Sequence, residues 1–154
     1  MGRIRPIKST DVESVVGIES QCFPTPWDRS IFEAISQWRG NIPLKHKRII
    51  RMRVLEFKEQ VEGYIVWEED KITENGHVMN LAVSNAHRGK GWGEKLLRYA
   101  IELMRDHEMK LCFLEVRENN TTAQALYKKI GMVKSDVRVG YYESEDAYIY
   151  TLDL

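Results

Sequence analysis

The segment Arg88-Gly89-Lys90-Gly91-Trp92-Gly93 constrains this chain more than any other. An almost unbroken apolar run, His77–Val83, leads towards it. An amphipathic stretch, Glu94–His107, leaves it with Leu96, Leu97, Ala100, Ile101 and Met104 on one face. Glycines let the backbone turn sharply and let a ligand approach it closely. A helix start presents unpaired N–H groups and the positive end of the helix dipole. Strand, glycine turn and helix together make a cradle for a pyrophosphate, with a glycine-rich surface turn as the plain alternative. The turn lacks the G-K-[ST] ending of a P-loop and the first glycine of a Rossmann G-x-G-x-x-G.

The rest of the chain alternates around this unit. Arg3–Ile7 reads as a first strand, and Thr10 with Glu13 forms a T-x-x-E capping box. Val12, Val15, Val16 and Ile18 follow as a helical stripe ending near Cys22. Pro24 and Pro26 make Phe23–Trp27 a loop. Asp28 caps a second helix carrying Ile31, Phe32 and Ile35, which stops at Gly40. Ile49–Phe57 and Val61–Glu68 read as a hairpin, and Lys110–Val116 as a later strand. Thr121–Ile130 is a helix with Ala123, Leu126, Tyr127 and Ile130 on one face, ended by Gly131. Two closing strands, Met132–Arg138 and Ala147–Leu152, flank an irregular stretch over 139–146. No repeat or Gly/Ser linker interrupts this order, so residues 1–154 are expected to form one domain built on a mixed α/β (α+β) sheet.

Charge excludes a general polyanion binder, because 23 basic and 23 acidic side chains cancel. One local run, Lys45, His46, Lys47, Arg48, Arg51 and Arg53, reads either as a solvated loop and edge strand or as a contact for RNA, the ribosome or an acidic protein. Cys22 and Cys112 lie far apart without C-x-x-C spacing, which points to a reducing compartment. No apolar signal core or transmembrane-length run is present, so a cytoplasmic protein with no membrane partner is expected. The histidines form no ligand cluster, so no metal is expected.

Three side chains suggest chemistry. Glu115 shares a strand face with Leu111 and Phe113, where a carboxylate is expensive unless paired, for instance with a neighbouring Arg or Lys. Tyr127 faces the same core from the following helix, and core packing is its plain reading. His77 opens the strand before the glycine turn, in phase with Met79, Leu81 and Val83.

With these residues in place, the chain resembles the GCN5-related N-acetyltransferases, whose coenzyme A signature is [QR]-x-x-G-x-[GA] after the fourth strand. "FLEVRENNTTAQALYKKIGM" and "RVGYYESEDAYIYTLDL" are similar to the ribosomal-protein-alanine and archaeal N-terminal acetyltransferase subgroup, and the likeness covers about Gly76 to Leu152. The resemblance implies a mostly antiparallel six- to seven-stranded sheet, flanked by about four helices and splayed between its fourth and fifth strands. It implies acetyl-CoA as co-substrate. Backbone groups of Leu81, Ala82 and Val83 would pair with the pantetheine arm, and the amides of Arg88, Gly89, Lys90, Gly91, Trp92 and Gly93 would hold the pyrophosphate. Asn120 would bond the cofactor, although an Asn there is equally a helix cap. Glu115 would be the general base, through a water. Tyr127 would be the acid that protonates the coenzyme A sulfur and would line the cofactor site. His77 would be an auxiliary proton relay or a structural residue.

The acceptor implied is a protein N-terminus, and physical chemistry agrees. An α-amine has a pKa of roughly 7.7–8.0 against about 10.4 for lysine, so about a tenth is neutral at pH 7 against about 0.04% of lysines. Phe23, Trp27, Tyr141 and Tyr142 would wall the acceptor groove, with surface-loop packing as their plain reading. Thr25 stands where some archaeal and eukaryotic members carry a glutamate, which leaves the preferred first residue open. Small amines or protein lysines are the alternative acceptors, and a non-catalytic acetyl-CoA-binding module is the alternative outside enzymes. A monomer or weak homodimer is expected.

Overall fold

The computed structural model describes residues 2–154. Its strands are β1 (Arg3–Pro6), β2 (Asn41–Pro43), β3 (Arg48–Phe57), β4 (Gln60–Asp70), β5 (Asn75–Val83), β6 (Leu111–Arg117), β7 (Val133–Tyr142) and β8 (Glu145–Asp153). Its helices are α1 (Val12–Cys22), α2 (Arg29–Gln37), α3 (Trp92–Asp106) and α4 (Thr121–Lys129). The strands form one sheet in the order β1-β3-β4-β5-β6-β8-β7, with β2 paired to β3. β5 and β6 are parallel, and the other pairs are antiparallel. The sheet is therefore mixed and mostly antiparallel, as expected. The short β2 is its addition.

Alternation along the strands gives the sheet two apolar faces, and each carries its own helices. Val12, Val15 and Ile18 of α1 and Phe32 and Ile35 of α2 pack on Met52, Val54, Tyr64 and Val66. On the opposite face Leu96, Leu97, Ala100 and Met104 of α3 pack on Trp67, Cys112, Leu114 and Tyr150. Burying each such leucine is worth about 1.5–3 kcal/mol. The α3 stripe recurs at three- and four-residue spacing, so one helical face meets one sheet face.

Local details depart from the sequence reading. Thr10 and Glu13 do not form a capping box. Ser9–Asp11 is a 3₁₀ turn, the Lys8 amide donates to the Asp11 carboxylate at 2.7 Å, and Glu13 pairs with Arg29 instead. A buried carboxylate close to three donors outcompetes the exposed Thr10. Asp28 does occupy the cap position of α2 with extended backbone, although its carboxylate accepts from the Ser30 hydroxyl. The helix after the glycine turn starts at Trp92, two residues before Glu94. Residues 139–146 are mostly strand: β7 runs through Tyr142 and β8 begins at Glu145, with irregular pairing between Arg138 and Tyr142 around Gly140, whose φ is 66°.

The feature that positions the site is a bulge in β5. Val66 pairs with Asn80 and Trp67 with Val78, which leaves Met79 unmatched. A bulge bends its strand and turns one residue out of register. It also reverses the phase. His77, Asn80 and Ala82 share the α1 face, while Val78, Leu81 and Val83 join the α3 face. His77 is therefore not in phase with Leu81 and Val83, as simple alternation had it.

Candidate active site

Beyond the bulge the sheet opens. β5 and β6 pair only at Asn75↔Leu111, Gly76↔Cys112 and His77↔Phe113. From Val78 and Leu114 onward their facing edges separate, while Leu81, Ala82 and Val83 stay paired to β4 at Ile65, Tyr64 and Gly63. The edge of β5 towards β6 is thus left for an extended ligand to add to. At Val83 the carbonyl is already taken, because the Arg88 guanidinium donates to it at 3.0 Å.

The glycine turn closes one end of this opening. Gly89 and Gly91 have φ of 72° and 84°, the left-handed region that side chains disfavour, and a Cβ at either would meet nothing within 4 Å. Gly91 is the N-cap of α3, so the first N–H groups of Trp92, Gly93 and Glu94 lack intrahelical acceptors. Open space, exposed amides and the positive dipole end fit the pyrophosphate of a coenzyme. Aromatic packing holds the turn in place: Phe57 lies 4.3 Å from the His87 ring and 4.8 Å from Trp92. Lys90 reaches back to the Ala86 carbonyl at 3.3 Å, and Arg88 also contacts the Cys22 sulfur at 3.0 Å.

Glu115 emerges on the α1 face of β6, where the His77 Nε2 lies 2.7 Å from its Oε1. A carboxylate accepts only, so in the neutral ring Nε2 carries the proton and Nδ1 remains an acceptor. The imidazole stacks on Phe113 at 4.4 Å, almost parallel. Both side chains are partly open to solvent, 27% for His77 and 12% for Glu115. The partner of Glu115 is therefore a histidine and not an Arg or Lys.

Tyr127 comes from the opposite side. It packs with the α3-face cluster, its ring 5.8 Å from Tyr150, and burial pushes its phenol up to about 12, with Tyr142 adding to the shift. It does not face the same core as Glu115, because successive side chains of β6 point to opposite faces. Tyr142 is near enough to act on the Tyr127 phenol and to feel the Glu115 charge. Burial raises its phenol, and the Tyr141 phenol and the Glu115 charge add to this, while the Arg117 guanidinium stands 4.2 Å over its ring. Tyr141 is half exposed and meets Tyr142 edge-on at 5.0 Å.

Asn120 caps α4, its side chain accepting from the Ala123 amide at 3.1 Å. The cap reading of Asn120 is met, and it is compatible with a bond to the cofactor. Gln124 was not foreseen: its Nε2 donates to the Arg117 and Glu118 carbonyls at 3.2 and 2.9 Å, tying α4 to the end of β6. Phe23 follows α1 with extended backbone, and Trp27 stacks on Phe32 at 5.8 Å. Sequence reasoning also missed Glu19, which is 1% exposed. Its signal was available, since it stands at i+4 from Val15 and i+7 from Val12, on the apolar stripe. Among the described residues no group of three or more His, Cys, Asp or Glu could hold a metal ion, and no helix is long and apolar enough to cross a membrane.

An opening between two parallel strands of a mixed sheet, a glycine turn at a helix start, and Glu115 and Tyr127 on opposite faces together form the candidate site. In comparison with known proteins, the model of the acetyltransferase (GNAT) family matches residues 12–132, and the chain belongs to that family. It is an N-acetyltransferase whose acetyl donor is acetyl-CoA. A protein of Bacillus subtilis (strain 168), provisionally named ribosomal protein bS18-alanine N-acetyltransferase, is 32% identical over 151 residues, covering 95% of this chain and 91% of that one. An N-alpha-acetyltransferase of Sulfurisphaera tokodaii is 28% identical over 165 residues, covering 99% and 93%. The crystal structure of Ard1 from Thermoplasma volcanium superposes with a TM-score of 0.81 at 26% identity, covering 99% of this chain and 97% of that one.

Proposed function

We propose that this enzyme acetylates the α-amine at the N-terminus of proteins, by direct transfer within a ternary complex. The observation that carries the reading is the His77–Glu115 pair at 2.7 Å, beside the opening between β5 and β6. The amine nitrogen bonds to the thioester carbonyl carbon as the carbon–sulfur bond breaks. Glu115, through a water, takes the proton that the amine loses, and His77 orients the carboxylate by donating to it from Nε2. Tyr127, kept protonated by burial, gives its proton to the departing sulfur. Backbone groups of Leu81 and Ala82 hold the pantetheine arm, and the amides from Gly89 to Gly93 hold the pyrophosphate, with the Arg88 and Lys90 side chains shaping the turn. Asn120, at the start of α4, hydrogen-bonds the cofactor. Phe23, Trp27, Tyr141 and Tyr142 form the walls around the acceptor peptide. Names carried by the relatives, one acting on ribosomal protein bS18 alanine and one on α-amines, support this acceptor class. The setting is cytoplasmic, in keeping with two free cysteines.

The test is mass spectrometry of N-terminal peptides incubated with acetyl-CoA and enzyme. The expected product carries one acetyl group on the α-amine. Acetyl groups on lysine side chains alone, or on small polyamines alone, would move the acceptor to those classes. Acetyl-CoA binding with no transfer would make the chain a binding module.

Contact with RNA or the ribosome through Lys45–Arg53 belongs to the same proposal. Its support is the exposed turn Lys45, His46 and Lys47. Arg48 pairs with Glu68, Arg51 bonds Asn41 and reaches Glu69, and Arg53 is buried against the Gly40 carbonyl, so these three serve the fold. Binding through the turn should weaken steeply with added salt. Salt-independent binding would exclude it.

A further inference from the structure

Glu19 is a carboxylate buried on the apolar face of α1, with no part in the chemistry above. Its surroundings show what it does. Oε1 accepts from the Tyr64 hydroxyl at 2.5 Å and from Asn80 Nδ2 at 3.0 Å. Oε2 accepts from the same Asn80 nitrogen at 3.1 Å and from the Trp27 backbone N–H at 2.9 Å. Only a carboxylate offers acceptors on both oxygens, and a glutamine would turn an amide N–H towards one of these donors. The three donors belong to three elements. Tyr64 stands in the middle of β4. Asn80 is the residue after the β5 bulge, on the same face as His77. Trp27 lies in the loop between α1 and α2.

We infer that Glu19 is a positioning residue that fixes the acceptor-side loop 23–28 to β5 at the bulge, and so sets the acceptor groove relative to His77 and Glu115. Three features make this more than core filling. The loop carries two prolines and begins and ends outside the helices, so the Trp27 amide has no ladder or helix partner of its own. The bulge between Val66 and Trp67 brings Asn80 onto the α1 face, so the tether depends on the same irregularity that sets the phase of β5. One end is the Trp27 amide in the loop assigned to the acceptor, the other is Asn80, three residues from His77 on the same face, and the carboxylate between them is buried. A buried carboxylate that lost these donors would be left with its full desolvation cost.

This rests on the acceptor reading above, and the experiment separates the two. In Glu19→Gln the KM for an N-terminal peptide should rise about tenfold while the KM for acetyl-CoA stays within about twofold, because one charge-assisted bond to the loop is lost. Hydrogen exchange should show the Trp27 amide losing protection while the amides of α1 and α3 keep theirs. Tyr64→Phe removes one donor and leaves the carboxylate, and it should move peptide KM in the same direction by less. It carries the test if Glu19→Gln does not fold. An unchanged peptide KM in both variants, or an equal rise in both KM values accompanied by a lower Tm, would reduce Glu19 to core stability and overturn the inference. A wild-type enzyme that acetylates no N-terminal peptide would overturn the acceptor reading instead. The Trp27 amide would then still decide the tether, an unaltered exchange rate in Glu19→Gln counting against it.

Discussion

Tyr127 sits against Tyr150 and the side chains of α3, and that burial pushes its phenol up to about 12, so its proton is retained throughout the working range. The acid role proposed for it needs this, and the kcat profile should show no descending limb from Tyr127 below about pH 10. Tyr127→Phe keeps the packing and removes the proton. We expect kcat to fall about 100-fold with the acetyl-CoA dissociation constant nearly unchanged, measured by steady-state kinetics and calorimetry. Glu115→Gln should likewise lower kcat about 100-fold, and His77→Ala by less. Because the two share one hydrogen bond, the double variant should be little worse than Glu115→Gln alone. Additive losses would show that His77 and Glu115 act independently. The sequence made Glu115 and Tyr127 visible as polar groups among apolar ones. It did not show that they face opposite sides of β6, because that depends on which partner each helix meets.

α3 and the turn before it are where local sequence and local structure agree best. Its stripe, its glycines and its place after a strand all point one way, and they specify the cradle without help from distant residues. Gly91→Ala tests the element. At φ 84° an alanine costs about 1–2 kcal/mol in the left-handed region, and its Cβ meets no atom within 4 Å. Thermal unfolding should show a modest loss of stability, and the KM for acetyl-CoA should rise while that for the peptide holds. β5 behaves otherwise. Met79 carries no sign that it will be the unmatched residue, since a bulge is decided by how β4 and β5 settle their register. The failed capping box at Thr10 and Glu13 has a similar cause. Asp11 finds Arg5, Lys8 and a buried site that a four-residue motif cannot foresee.

At the scale of the molecule, two cores share one sheet, and ion pairs at the rim lock strands to helices. Arg5 of β1 donates to Asp11 at 2.8 and 3.0 Å and to Glu56 at 2.8 Å. Burial alone would push the Asp11 carboxyl up, but the Arg5 guanidinium and the Lys8 amide outweigh it and hold it below the usual range. A depressed carboxyl stabilises the fold fully above its unfolded pKa of about 3.9, and that stability is lost as pH falls through the lower folded value. Tm should therefore fall on acidification into that window, and Asp11→Asn should have a lower Tm at neutral pH and a shallower acid dependence. An unchanged acid profile would show that this pair contributes nothing. The sequence by itself determined the class: helix and strand periods, the glycine cradle, and the order of Glu115, Asn120 and Tyr127 are all encoded within short windows. Only the tertiary structure decided the geometry of the site. The β5 bulge, the seam beyond His77↔Phe113, the partner of Glu115 and the burial of Glu19 each depend on residues far apart in the chain. Such contacts form only when both sheet faces are packed, and no local window records them.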